Sequence, residues 1–153
     1  MKTSPEERRI TERMQPGVLS RDGFLGEDRR SLGEIIDADR SSVLTLGFDQ
    51  ATLAARLQEI LEAAMEGMGA PVRVGLHLEA VYRESMGRIP CPFGDGARFP
   101  KGEVELTDTS CSETLRFTPL SVHMIAAHGF FQGRGSRYRI SPHALARVLG
   151  PRG

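Results

Sequence analysis

The chain has 153 residues and no net charge, with 39% apolar and 26% charged residues, two cysteines and no tryptophan. This composition excludes wholesale disorder and a disulfide-built scaffold, and it supplies enough apolar residues for one domain with a real core. No apolar run approaches the ~20 residues that cross a bilayer. The start, MKTSPEERRITERM, is polar and lacks the apolar stretch of a secretory signal. The expectation is a cytoplasmic protein with reduced thiols and no membrane partner.

Charge is unevenly spread. Every Asp and Glu lies before position 114, whereas Arg134, Arg137, Arg139, Arg147 and Arg152 follow. Residues 1–122 carry −5 and residues 123–153 carry +5. Either the basic tail folds onto the acidic remainder, or it meets an anionic partner.

In chain order, Ser4-Pro5-Glu6-Glu7 has the signature of a helix start, with Ser4 as N-cap and Glu7 completing a capping box. Ile10 and Met14 form one narrow apolar stripe, and Pro16-Gly17 stops the helix. Residues 1–20 are read as a short helix and arm, and residues 21–150 as a single domain. A helix is predicted over residues 31–46, with a break near Asp39 as an alternative, and Gly47 ends it. Asp49 caps the next helix, which places Leu53, Leu57, Ile60, Leu61, Ala64 and Met68 on one face. The short link makes the two an αα-hairpin, whose apolar face also offers a homodimer surface.

The period then changes to two. Val72, Val74, Leu76, Leu78, Ala80 and Tyr82 alternate with polar or small residues, which predicts one long strand. Residues 85–102, rich in Pro and Gly, are read as a long loop. EVELTDT and ETLRF follow as a strand hairpin. Thr118-Pro119 opens a helix that Gly129 closes, Ser136–Ile140 reads as a short strand, and Ser141-Pro142 opens a last helix. The order gives an α+β fold: an N-terminal αα-hairpin and a small antiparallel sheet covered by helices, in a single domain.

Three sites can be weighed. Cys91, Cys111, His123 and His128 carry the donor atoms of a Cys2His2 zinc site. His123 and His128 have H-x4-H spacing, but nineteen residues separate the cysteines where a compact knuckle has two to four. Residues five apart on a helix point about 140° from each other, so the last turn is expected to loosen or tighten. A four-ligand zinc would be structural; a three-ligand one would admit a catalytic water. The ordinary alternative makes both cysteines packed apolar groups and His128 an electrostatic cap.

The second site is HGFFQGRGSRYRI, residues 128–140. One of Phe130 and Phe131 is expected in the core and the other partly exposed, because neighbours in an extended chain point to opposite faces. Arg137 and Arg139 would share a strand face about 7 Å apart. With Arg134, Ser136 and the glycine amides they can cradle a phosphate or carboxylate. An anionic small molecule, an acidic protein or single-stranded nucleic acid would fit. The plain alternative pairs these arginines with the acidic helices. Third, Cys91 beside His123 or His128 would make a nucleophilic thiol. No Walker A, dinucleotide or G-x-S-x-G motif occurs. Two classes therefore compete. One is a binding or accessory module whose Cys, His and Arg groups share one locus. The other is a small enzyme using a Cys–His pair or a zinc-bound water.

Overall fold

The computed structural model of the chain describes residues 3–150. Helix α1 spans Pro5–Arg13; the Ser4 hydroxyl accepts the Glu7 N–H at 3.0 Å. Its stripe, Ile10 and Met14, is buried, so the segment packs on the body. Helix α2, Leu32–Thr45, runs without a break through Asp39. Both halves of its capping box form between Ser31 and Glu34. Helix α3, Gln50–Glu66, starts where the Asp49 carboxylate accepts the Thr52 N–H. The two are the helix pair expected near the N-terminus, joined by residues 46–49. Helix α3 packs on the sheet and on α4 (Pro119–His128), while α2 packs on α5 (Pro142–Leu149).

The fold is mixed α+β. Four strands, β1 (Val72–Gly75), β2 (Leu78–Arg83), β5 (Glu103–Asp108) and β6 (Glu113–Phe117), form an antiparallel sheet in the order β1-β2-β5-β6. One face carries Ala80, Tyr82, Val104, Leu106, Leu115 and Phe117 into the main core. The other carries Glu105 with Arg83 and Arg116 beside it, at 3.7 and 3.5 Å. A separate two-stranded sheet, β3 (Arg88–Pro90) with β4 (Arg98–Pro100), is inserted between β2 and β5.

Residues 72–82 are a hairpin, not one strand. Val72 faces Ala80 and Arg73 faces Glu79, with a register shift at Gly75. Leu76 sits in the turn, 79% exposed. Facing residues have the same parity in this register, so the apolar face of β1 continues onto β2 and the alternation hides the turn. Nor is residues 85–102 simply loop, since β3 and β4 lie within it.

Buried apolar residues form two clusters. The larger joins α3, the sheet and α5; the smaller joins α1, residues 19–25, α2 and the β3–β4 hairpin. Helix α4 lies between them. Val122 and Ile125 enter the larger, and Leu120 and Met124 enter the smaller. That explains why α4 is apolar all round rather than striped. The adjacent phenylalanines divide in the same way: Phe131 enters the larger cluster and Phe130 the smaller, and both are buried. The opposite-faces rule holds, but each face meets a core.

The 132–140 segment is a chain of turns. Ser136 N–H donates to Gly133 O and Arg139 N–H to Ser136 O, both at 3.1 Å, and no strand forms there. Its glycines serve close approach. Gly133 N–H donates to Phe24 O, and a Cβ at Gly133 or at Gly26 would overlap the opposing backbone.

Candidate metal centre

The β3–β4 hairpin ends in a tight loop. Cys91 N–H donates to Ala97 O at 2.9 Å, which continues the ladder past Pro90. Gly94 N–H returns to Cys91 O at 3.1 Å, so the chain reverses over Pro92-Phe93. Gly94 and Gly96 take φ of +77° and +86°, a region costly for residues with a Cβ, and between them they turn Asp95 back beside Cys91. The Asp95 Oδ1 accepts the Ala97 N–H at 2.9 Å, which leaves Oδ2 directed outward. Arg13 Nε–H donates to Pro92 O at 2.7 Å and ties the loop to the end of α1.

Helix α4 supplies the other half. Its Thr118 cap and Pro119 set the start, and Gly129 at φ +64° sets the stop. The helix remains regular through His128, so the expected change of the last turn, loosening or tightening, does not occur. The imidazoles swing in from either flank to meet on one carboxylate. His123 Nε2 lies 2.7 Å and His128 Nε2 2.8 Å from Asp95 Oδ2. Aromatic rings fix both imidazoles: Phe93 stacks on His128 with centroids 3.9 Å apart and planes 6° apart, and Phe99 lies 4.8 Å from His123. Phe130 meets the Phe93 edge at 5.7 Å, which carries the stack into the smaller core.

One donor atom from each of Cys91, Asp95, His123 and His128 lies within 4.8 Å of the other three. This group can hold a metal ion. Tetrahedral zinc, with bonds of about 2.0–2.3 Å, places its ligands roughly 3.3–3.8 Å apart, which small rotations of these side chains reach. The thiol is buried, while the carboxylate lies at the rim with 28% of its side chain exposed. For Asp95, burial works against the charge. The Ala97 N–H and the His128 and His123 contacts outweigh it and hold the carboxyl well below its usual range. Burial pushes the Cys91 thiol up to about 11. An unassisted Cys91 thiolate nucleophile is therefore disfavoured at neutral pH.

Three of the donors named from sequence, Cys91, His123 and His128, meet here. Cys111 does not. It is exposed in the β5–β6 turn, where Asp108 accepts the Ser110 N–H and hydroxyl. Asp95 stands where Cys111 was expected. Residue type alone hid it, because Gly-Asp-Gly reads as a turn. The usable signal was a cysteine and a carboxylate four residues apart in a Pro/Gly reversal, C-P-F-G-D-G.

Two arginines of the 128–140 segment pair with carboxylates away from the Cys91 group. Arg139 holds the buried Asp39 bidentately at 2.8 and 2.9 Å and also donates to Gln132 O. Arg137 lies 3.4 Å from Glu103, whose carboxylate also accepts the Tyr138 hydroxyl, and Arg147 pairs with Glu113. The Arg134 backbone N–H binds Asp28, and the Ser136 hydroxyl donates to the Gln132 side chain. Arg137, Arg139 and Arg147 thus pair with carboxylates of the body. Arg137 and Arg139 share no strand face. No hydrogen bond or ion pair links Arg134, Ser136, Arg137 or Arg139 to the Cys91 group among the described residues. Compared with protein-family models, curated proteins and solved structures, the chain matches none.

Proposed function

We propose that the protein is a small zinc-binding accessory or binding module, in which Cys91, Asp95, His123 and His128 hold one Zn²⁺. The observation that carries this reading is the convergence of four donors from two distant segments within 4.8 Å. One thiolate, two imidazoles and a carboxylate suit zinc better than calcium or magnesium, which take oxygen ligands. Four protein ligands fill a tetrahedron, so the metal's role is structural: it fastens the 88–100 hairpin to α4. Ion binding ionises the thiol that burial otherwise keeps protonated.

A second reading is a small hydrolytic enzyme, favoured by the exposure of Asp95. It is the rim ligand, it sits between two glycines, and its departure would leave three protein ligands and an open position. Elemental analysis of protein purified without chelator tests the first reading. One zinc per chain is expected, lost in Cys91→Ala and in His123→Ala and retained in Cys111→Ser. Absence of stoichiometric metal from the parent chain would end both readings. Asp95→Ala separates them, since an ester-hydrolysis rate that rises or falls with this change alone favours the second.

A further inference from the structure

We propose a second site, separate from the metal centre, that binds a small organic anion. A cavity of about 380 Å³ opens between the 20–24 loop, Ile89, Lys101 and the 132–138 turns. That volume lies in the range of small-molecule sites. Phe24, Ile89 and Leu120, all members of the smaller core, make its floor.

The polar lining is mostly donors. Gln132 is 2% exposed and lines the cavity. Its Oε1 accepts the Ser136 hydroxyl, while its Nε2 has no hydrogen-bond partner among the described residues. Among those residues no fully enclosed side-chain polar atom is left unpaired, so this amide keeps its contact with solvent, and the cavity it lines is where that contact lies. An amide donor that meets solvent but no protein acceptor is free to donate to an anion in the cavity. Gln132 also sits at φ +72°, a left-handed conformation that is uncommon outside glycine and that clusters at ligand sites.

Three cationic side chains line the same space. Arg21 and Lys101 make no ion pair among the described residues, and Arg137, half engaged by Glu103, adjoins them. Asp22 is the single carboxylate in the lining. Apolar floor, converging cations and an unused amide donor select a ligand with a carboxylate or phosphate on an apolar body. The anionic group would lie against Gln132 Nε2, Lys101 and Arg21, and the apolar part on Phe24, Ile89 and Leu120.

The test is ¹H–¹⁵N correlation NMR of the full, metal-loaded chain, titrated separately with benzoate, phenyl phosphate and neutral benzyl alcohol. One or both anions are expected to shift the Gln132 side-chain amide and the Phe24 and Lys101 backbone amides, with Kd about 1 mM or tighter. The tighter of the two anions identifies the group bound. Benzyl alcohol should bind at least about tenfold more weakly, and the double change Arg21→Glu and Lys101→Glu should cost the anion about tenfold or more. Neither residue is among the metal donors, so zinc content should stay unchanged in that variant. Gln132→Glu should abolish binding; if it fails to fold, the double variant carries the test alone. No shift at Gln132 with either anion, equal affinity for the alcohol, or indifference to charge reversal would overturn the proposal. None of these outcomes bears on the metal reading, which the zinc measurement reports independently.

Discussion

The two apolar clusters are built in opposite ways. The larger is made of long regular elements: α3 supplies six buried residues from one face, and β2, β5 and β6 add alternating ones. The smaller is made of one short helix, irregular loops and a hairpin of three-residue strands, packed against α2 and α4. A core of regular elements is held by propensity, ladder hydrogen bonds and burial together. The smaller one has few ladder bonds, and its hairpin is too short to be stable alone. The four converging donors sit on that hairpin and on the helix shared by both clusters. The comparison teaches that the candidate metal centre lies in the cluster with the fewest regular elements.

The largest expected effect follows. Under the proposed zinc reading, removing the metal by chelation, or by His128→Ala, should free the 88–100 hairpin while the four-stranded sheet persists. Hydrogen exchange is the measurement: the Cys91 and Gly94 amides should exchange roughly 100-fold faster or more, and those of Ala80 and Leu106 should change little. Equal acceleration in both regions would mean one cooperative unit, and no acceleration anywhere would remove the fastening role. The same chelation should expose the aromatic stack, because Phe93 is half-buried against His128.

The difference between the clusters also decides what could be read from sequence. Helices α3 to α5 were legible because caps and glycine stops are local signals, and each acted where it stands: Asp49, Thr118, Ser141 and Gly129. The β1–β2 turn was not, because side-chain parity is blind to a hairpin in that register. The β3–β4 hairpin was not, because Pro90 and Pro100 end its strands and short strands leave no period to detect. Within the site, Cys91, His123 and His128 were visible as residue types, while Asp95 was one of many acidic residues until the loop turned it toward the imidazoles. The arginine cluster left two readings open for a related reason. Its sequence shows charge but not the partner, and Asp39 lies one hundred positions away.

A smaller effect separates the seam between α2 and the 132–139 turns from both cores. Asp39 and Arg139 are a bidentate pair with 6% and 16% of their side chains exposed. Asp39→Ala should cost about 3–5 kcal/mol, because it leaves a guanidinium buried without its counter-charge. The double change Asp39→Leu with Arg139→Met should recover most of that loss, as buried pairs are often no better than apolar residues of similar size. Urea denaturation of the three proteins checks both statements. If the double variant is as unstable as the single one, the Arg139 bond to Gln132 O, rather than the ion pair, holds the seam.

The smallest effect is a pH dependence at the edge of the smaller cluster. The Asp28 carboxylate has 3% of its side chain exposed; it accepts from Arg30 Nε and Nη2 at 2.9 and 2.6 Å and from the Arg30 and Arg134 backbone N–H groups. The Arg30 hydrogen bond is the largest influence on it and burial opposes, with the net result that its carboxyl stays well below the usual range. A carboxylate whose pKa is depressed on folding stabilises the folded state fully above its unfolded value of about 3.9, and that stabilisation is lost as pH falls toward the folded value. Asp28→Asn should therefore destabilise by about 1–3 kcal/mol near neutral pH and much less at the acid end, so the stability curves of parent and variant converge as pH falls. Because Asp28 binds the Arg134 amide, the loss should appear first where residues 24–28 meet 132–136, while the sheet amides keep their protection. A variant curve parallel to the parent curve at all pH values would show that the carboxylate's charge contributes nothing and that its hydrogen-bonding shape alone holds the two loops together.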